Sequence, residues 1–265
     1  MHPVLFQFGP FGVYSYGALI ALGGAAACRF WWPRRDKMGL RSEDDFWLLV
    51  NLLIVSGFVG GRLLFVFEYT RPWSPDFWSS LVGYSRGFSV MGAFVSVLLA
   101  LWWLARRVAT PFPRLLDYVV APVPMWHAFG RAGCFFAGCC FGRPSDAPWA
   151  VTFNDPRSMV DRPLLGKPLH PAQLYEAVGD LIIALLLMRV VLPAVERDRQ
   201  PTGTVFAVYF FCYGFLRFVM EFFRGDTVSF GYGLTTAQAF SIGMVFTAIG
   251  IFLYSRRKWE LCTQS

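Results

Sequence analysis

Residues 126–149 read WHAFGRAGCFFAGCCFGRPSDAPW. An apolar helical run carries one arginine, Arg131, to membrane depth, then dissolves into a Gly/Cys-rich turn and leaves through a polar loop. An arginine in hydrocarbon costs about 2.5–3.5 kcal/mol on insertion scales, so it faces a cavity or a partner rather than lipid. Its guanidinium is a flat fork of five donors that stays charged, well matched to carboxylate or phosphate. The stretch predicts a pocket, built around Arg131 by the rest of the chain, for an anionic lipid headgroup.

The composition agrees with a membrane setting. Of 265 residues, 55% are hydrophobic and 18% aromatic, with 28 Phe and 10 Trp, and the mean hydropathy is +0.46. An ordinary soluble domain is excluded. The net charge of +7 is spread over helix ends rather than gathered in one patch, so the partner it implies is the lipid bilayer and not nucleic acid. The N-terminus, MHPVLFQFGPFGVYSYG, has no basic n-region and no small-residue cleavage site; the first apolar stretch reads as a retained helix.

Seven apolar segments are long enough to span, at about 20 residues per 30 Å of hydrocarbon. They run approximately over 14–32, 46–67, 88–105, 116–137, 172–192, 204–222 and 234–254. Arg34, Arg35, Lys37 and Arg41 follow the first, Arg106, Arg107 and Arg114 the third, Arg197 and Arg199 the fifth, and Arg256, Arg257 and Lys258 close the chain. The long loop after Phe141 balances its basic residues with Asp146, Asp155 and Asp161. This alternation predicts an all-α polytopic membrane bundle with seven transmembrane helices. Its N-terminus lies outside (periplasmic) and its C-terminus in the cytoplasm. It forms one domain over residues 1–265, with a small outer-face cap from loops 69–86 and 142–169. Gly57, Gly60 and Gly61 offer a small-residue face for close helix packing, and Pro122 and Pro124 should kink the fourth segment. No internal repeat of the kind found in duplicated transporters is visible.

Charged residues gather on the outer half. Arg62 follows a GxxGG run, Arg131 lies in the fourth segment, and RFVMEFFRGD supplies Arg217, Glu221 and Arg224. Arg217 and Glu221 are i, i+4 and share a helix face. A purely structural ion pair explains that spacing, yet Arg62, Arg131, Arg217 and Arg224 outnumber Glu68 and Glu221, and a phospholipid phosphate is the most available anion. HPAQLYEA opens the fifth helix and places His170, Gln173 and Glu176 near one another; helix capping also accounts for it. Six cysteines are present, and the C-x4-C-C of Cys134, Cys139 and Cys140 fits zinc spacing poorly. These residues either form a disulfide or pack as small apolar groups. No redox C-x-x-C occurs.

Taken together these stretches resemble one family, the prolipoprotein diacylglyceryl transferases. FGRAGCFFAGCCFGRPSDAPWAVTF is similar to the family's G-R-x-G-N-F…G-R/K-P signature, HPAQLYEA to its H-P-[ST]-Q-L-Y-E block, and RFVMEFFRGD to its R-F-x-x-E-F-x-R-x-D block. VYSYG, SGFVGGRLLFVFEY and LLDYVVAPVPMWHAFGR match as well, so the likeness runs through nearly the whole chain in order. The resemblance implies an enzyme of the bacterial inner membrane. It would move the diacylglyceryl group of phosphatidylglycerol to the lipobox cysteine thiol of a prolipoprotein signal peptide, releasing glycerol phosphate, with no metal or soluble cofactor. Carried over by position, Arg131 and Arg217 grip the phosphate, and Tyr16, Gly142 and Glu221 fall on positions important for activity. Arg62, His170, Gln173 and Arg224 sit in matching blocks that line the substrate.

Two departures stand out. Met91 occupies the place of a histidine often assigned to thiol activation, and Cys134 and Cys139 stand where the signature has Asn and often Glu. Methionine takes no proton, which leaves His127, one turn before Arg131, as the candidate base; Cys134 would line the substrate. The departures also fit two other readings, a divergent relative that binds lipid without this chemistry and, more remotely, a lipid transporter.

Overall fold

The computed structural model describes residues 4–8, 11–70, 74–82, 87–225, 227, 229–231 and 233–263. Residues 71–73 and 83–86 of the expected outer loop 69–86, and Asp226 of the RFVMEFFRGD block, lie outside them. The described chain is mainly helical: α1 (Ser15–Trp31), α2 (Glu43–Tyr69), α3 (Pro75–Val82), α4 (Val90–Arg107), α5 (Phe112–Val120), α6 (Val123–Ala137), α7 (Ala172–Leu186), α8 (Leu192–Glu196), α9 (Thr204–Met220) and α10 (Thr236–Thr263). Three short antiparallel ribbons qualify the all-α expectation: β1 (Val4–Phe8) with β2 (Phe11–Tyr14), β3 (Val151–Thr152) with β4 (Pro168–Leu169), and β5 (Ser229–Gly231) with β6 (Leu234–Thr235).

Among the described residues four helical stretches are long and apolar enough to cross a membrane: Glu43–Tyr69, Val90–Arg107, Ala172–Glu196 and Thr236–Cys262. Thr204–Met220 is apolar but shorter, at 17 residues. Ile54 and Phe58 on α2, Leu99 on α4, and Phe246 and Leu253 on α10 stand exposed. Bare apolar surface of this extent is stable where the solvent is hydrocarbon. The protein is therefore an integral membrane protein.

Every expected apolar segment contains helix, but the fourth is divided. α5 ends at Val120 and α6 begins at Val123, across a turn at Ala121 and Pro122. Proline cannot continue an i→i−4 ladder, so the chain breaks there, while Pro124 sits in the first turn of α6, where its missing donor costs nothing. The fifth segment holds a feature the periodicity did not announce. α7 passes through a π-helical turn, Leu187–Val191, before α8. Pro193 lies just beyond; its ring would clash with the carbonyl four residues back, and widening the turn relieves that.

The chain divides into two compact units. In the unit Trp32–Leu116, α2 opens with a capping box, Ser42 accepting from the Asp45 amide while the Asp45 carboxylate reaches back. α2 packs on α4 at glycine-to-glycine distance. A Cβ at Gly60 would sit 2.6 Å from the Gly92 carbonyl oxygen, and Ser96 Oγ donates to the Ser56 carbonyl at 2.6 Å. The small-residue face predicted around Gly60 thus meets a second small-residue face on α4.

The other unit comprises Met1–Trp31 and Asp117–Ser265. α1 packs on α6, where Trp126 Nε1 donates to the Ile20 carbonyl at 2.9 Å and Gly133 leaves room for the backbone of Tyr16. α6 packs on α7, α7 on α9, and α9 on α10. Asp117, fully buried, accepts from the Gly203 amide at 2.6 Å and the Phe206 amide at 3.0 Å, so one carboxylate caps the N-terminus of α9. Asp117→Ala is expected to lower stability by about 2 kcal/mol, because two buried amides lose their acceptor. Thermal unfolding in detergent, compared with the wild type, measures it, and an unchanged midpoint would contradict the assignment.

Candidate functional site

Small residues set the orientation of α6. Gly130 and Gly133 share the face turned to α1, against Ile20 and Tyr16. Arg131 and Cys134, also three apart, lie on a neighbouring face, and α7 packs on α6 too. Arg131 Nη2 lies 2.6 Å from Glu176 Oε1, while Arg224 Nη1 lies 3.9 Å from the other oxygen of the same carboxylate. Glu176 is 1% exposed. One buried carboxylate thus serves two guanidiniums and leaves about one unit of positive charge unbalanced. On α9 the expected i, i+4 pair forms, Arg217 Nη1 to Glu221 Oε2 at 2.8 Å. These short contacts are poorly aligned, so that Glu176 Oε1, Glu221 Oε2 and Arg217 Nη1 lack well-formed hydrogen bonds. A buried guanidinium nitrogen in that state retains donor capacity for an anion.

The segment after α6 brings these helices together. Gly142 donates to the His170 carbonyl at 3.2 Å, Arg143 to the Phe223 carbonyl at 2.9 Å, and Gly225 to the Phe141 carbonyl at 3.0 Å. Arg143 Nε adds a bond to the Arg224 carbonyl at 2.9 Å. Residues 141–143 are therefore laid as a strap between the entry of α7 and the exit of α9. Gly142 has no room for a side chain, since a Cβ there would fall 2.6 Å from His170 Cβ. His170 Nδ1 is 3.2 Å from Tyr175 Oη, which in turn accepts from Trp149 Nε1 at 2.6 Å. Gln173 Nε2 donates to the Cys139 carbonyl at 2.8 Å. Beyond the strap, Phe141, Phe153, Val160 and Leu169 form a small core of their own under the loop 142–169.

Most residues singled out by sequence meet here. Tyr16 lies within electrostatic reach of Arg131 and of Cys134, Cys139 and Cys140. Arg217, Glu221, Arg224, His170 and Gln173 contribute from α7, α9 and their ends. His127 is half-buried on α6, with its ring 5.3 Å from that of Tyr213 and 6.5 Å from that of Tyr209. Arg62 belongs to the other unit, where its guanidinium donates to the carbonyls of Gly87 and Ser80. Met91 also lies in that unit, exposed in the first turn of α4.

Sequence reasoning missed three features. Glu176 was expected only to lie near His170 and Gln173 and is also the buried partner of Arg131 and Arg224. Tyr213 stands within electrostatic reach of Arg131, Glu176 and Arg217; it lies one turn before Arg217, and that spacing could have flagged it. Asp180, one turn below Glu176, is fully buried with neither oxygen hydrogen-bonded among the described residues.

The fold and site thus define an integral membrane protein that gathers half-buried Arg131 and buried Arg224 over a shared carboxylate. The family described as prolipoprotein diacylglyceryl transferase matches residues 3–254, and the chain belongs to that family. A protein of Clostridium tetani (strain Massachusetts / E88) named phosphatidylglycerol–prolipoprotein diacylglyceryl transferase is 32% identical over 96% of this chain and 97% of its own length. Proteins of the same name from Pseudomonas fluorescens (strain SBW25) and Solidesulfovibrio magneticus are 31% and 32% identical, again over 96% of this chain and 93% and 94% of theirs.

Removing Glu176 should expose its role. Glu176→Ala leaves two guanidiniums facing each other and is expected to destabilise by about 3–5 kcal/mol. Adding Arg131→Ala should recover part of that loss, because the two sites are coupled. Equal and additive losses in a double-mutant cycle of denaturation would contradict a shared carboxylate.

Proposed function

We propose that this protein transfers the diacylglyceryl group of phosphatidylglycerol to the lipobox cysteine thiol of a prolipoprotein, forming a thioether and releasing glycerol phosphate. The observation that carries the proposal is the site itself. Arg131, Arg224 and Arg217 converge on two carboxylates, leaving net positive charge and an unsatisfied guanidinium donor where a phosphate would lie. The relatives' names supply the reaction class.

The chemistry suits that geometry. As the bond between the glyceryl carbon and the phosphate oxygen breaks, the electron pair leaves on oxygen, and negative charge grows on the departing glycerol phosphate. Arginines already held in place by Glu176 and Glu221 meet that charge without reorganising. Arg131 and Arg217 hold the phosphate, Glu221 fixes Arg217, and Glu176 fixes Arg131 and Arg224. Tyr16, Gly142, His170 and Gln173 shape the substrate's surroundings. The acceptor thiol, with an ordinary pKa near 8.5, must become a thiolate to attack, and His127 on the α6 helix is one candidate to receive its proton. The proposal includes seven crossings of a bacterial inner membrane, with the site facing the outer leaflet, where lipid and signal helix arrive sideways. The alternating basic loops and the apolar surfaces of the helices support that arrangement.

Purified protein in detergent with phosphatidylglycerol and a lipobox peptide should release glycerol phosphate only when both are present. Arg131→Ala or Arg217→Ala should each reduce the rate by about 10²–10³-fold, the usual loss for one preorganised charge-stabilising donor. Release that survives either substitution would remove the proposed roles. A His127→Gln protein that keeps the full rate would exclude His127 as the base.

A further inference from the structure

The cysteines of the C-x4-C-C run form a cluster that the phosphate site does not account for. α6 ends at Gly138, in the left-handed region at φ 76°, whose amide donates to the Cys134 carbonyl at 2.8 Å. The Cys139 amide donates to the same carbonyl at 3.2 Å, and Cys140 adopts φ 55°. A non-glycine residue keeps that conformation only where its surroundings hold it there. The two left-handed residues fold the chain back onto the helix, and the sulfurs of Cys134, Cys139 and Cys140 lie within 4.8 Å of one another. All three are free thiols in the structure; Cys134 is buried, and Cys139 and Cys140 are half-buried.

A free Cys140 thiol conflicts with the site in two ways. The neighbouring Cys134 and Cys139 thiols, and then the Arg224 and Arg131 guanidiniums, favour the Cys140 thiolate and hold its pKa below the ordinary thiol range. Such a thiolate would cancel the one unit of positive charge that the sharing of Glu176 leaves for a phosphate. It would also be a nucleophile in its own right, competing with the acceptor thiol for the lipid.

We propose that Cys134 and Cys140 are joined by a disulfide in the working protein, and that this bridge keeps the arginine site cationic for the lipid phosphate. The bridge stands on the cysteine geometry; its charge role rests on the phosphate reading above. Adjacent Cα atoms are about 3.8 Å apart, closer than the roughly 4.4–6.8 Å that a disulfide spans, so Cys139 and Cys140 pair poorly. A Cys134–Cys139 bridge would leave the ionisable Cys140 thiol in place. From within 4.8 Å, the Cys134 and Cys140 sulfurs need to close by at most about 2.8 Å to bond. One change of χ1 rotamer moves a sulfur by about 3 Å. The bridge forms by exchange with a dithiol–disulfide oxidant of the compartment outside the membrane, where disulfides persist. The Cys140 thiolate attacks one oxidant sulfur, the oxidant's S–S bond breaks, and a mixed disulfide forms. The Cys134 sulfur then loses its proton and attacks the Cys140 sulfur, and the oxidant leaves as a dithiol. Two electrons and the two cysteine protons end on the oxidant.

Cysteine mapping tests the bridge without lipid, so it stands apart from the transfer assay. Membranes carrying the full-length protein would be quenched in acid, alkylated in denaturant, digested and weighed. Cys134 and Cys140 should appear linked, and Cys28, Cys139, Cys212 and Cys262 alkylated. Alkylation of both Cys134 and Cys140, or a bridge through Cys139, would overturn the proposal. Phosphatidylglycerol retention in mild detergent tests the charge role. A reductant should lower retention about tenfold in protein of unchanged helix content, as a like charge beside the phosphate does. Cys140→Ser should make retention indifferent to reductant, whereas Cys28→Ser, Cys212→Ser and Cys262→Ser keep the dependence. Wild-type retention unmoved by reductant would overturn the charge role. Absence of retention in both the oxidised and the reduced protein would overturn the phosphate reading itself, and the mapped bridge would stand without it.

Discussion

The Glu176 carboxylate, buried between Arg131 and Arg224, is the contact on which this site depends. Neither an arginine nor a glutamate is stable alone at that depth. Each charge would cost several kcal/mol to desolvate without a partner. Together they fix the position of α6 against α7 and of the α9 exit against both. The sharing of one carboxylate by two guanidiniums is also what leaves the site cationic. A fully neutralised network would hold the helices equally well and have no use for a phosphate.

The backbone around that contact is arranged to serve it. Gly133 admits Tyr16, Gly142 admits the His170 backbone, and the 141–143 strap spends its donors and acceptors on the ends of α7 and α9. Asp117 performs the corresponding task at the other end of α9, holding its first amides. Rigid placement matters here because arginines that must reorganise to meet a leaving phosphate give back much of their advantage.

How much of this could be read beforehand depends on the range of the interaction. The apolar segments, the break forced by Pro122 and the Arg217–Glu221 pair are local and were legible. Seven crossings were expected, and four helices among the described residues are long and apolar enough to cross, since α1, α6 and α9 are shorter than a full crossing by length alone. The pairing of Arg131 with Glu176 joins residues 45 positions apart on two helices, and nothing in either segment names the other. The mutual closeness of Cys134, Cys139 and Cys140 was hidden for a different reason. Ligand spacing rules assume an ordinary turn, whereas Gly138 and Cys140 both take left-handed backbone and close a C-x4-C-C into a triangle. Arg62, placed by its block beside the substrate, donates to the carbonyls of Gly87 and Ser80, contacts that its own segment does not announce.

If half-buried Arg131 and Arg217 hold an anionic lipid headgroup, lipid retention shows it without relying on turnover. Protein extracted into mild detergent and offered equal amounts of phosphatidylglycerol and phosphatidylcholine would be weighed intact by native mass spectrometry. The account predicts one phosphatidylglycerol bound in preference to phosphatidylcholine, with that preference lost in a folded Arg131→Ala/Arg217→Ala protein. Equal retention of both lipids, or a preference that survives loss of both arginines, would contradict it.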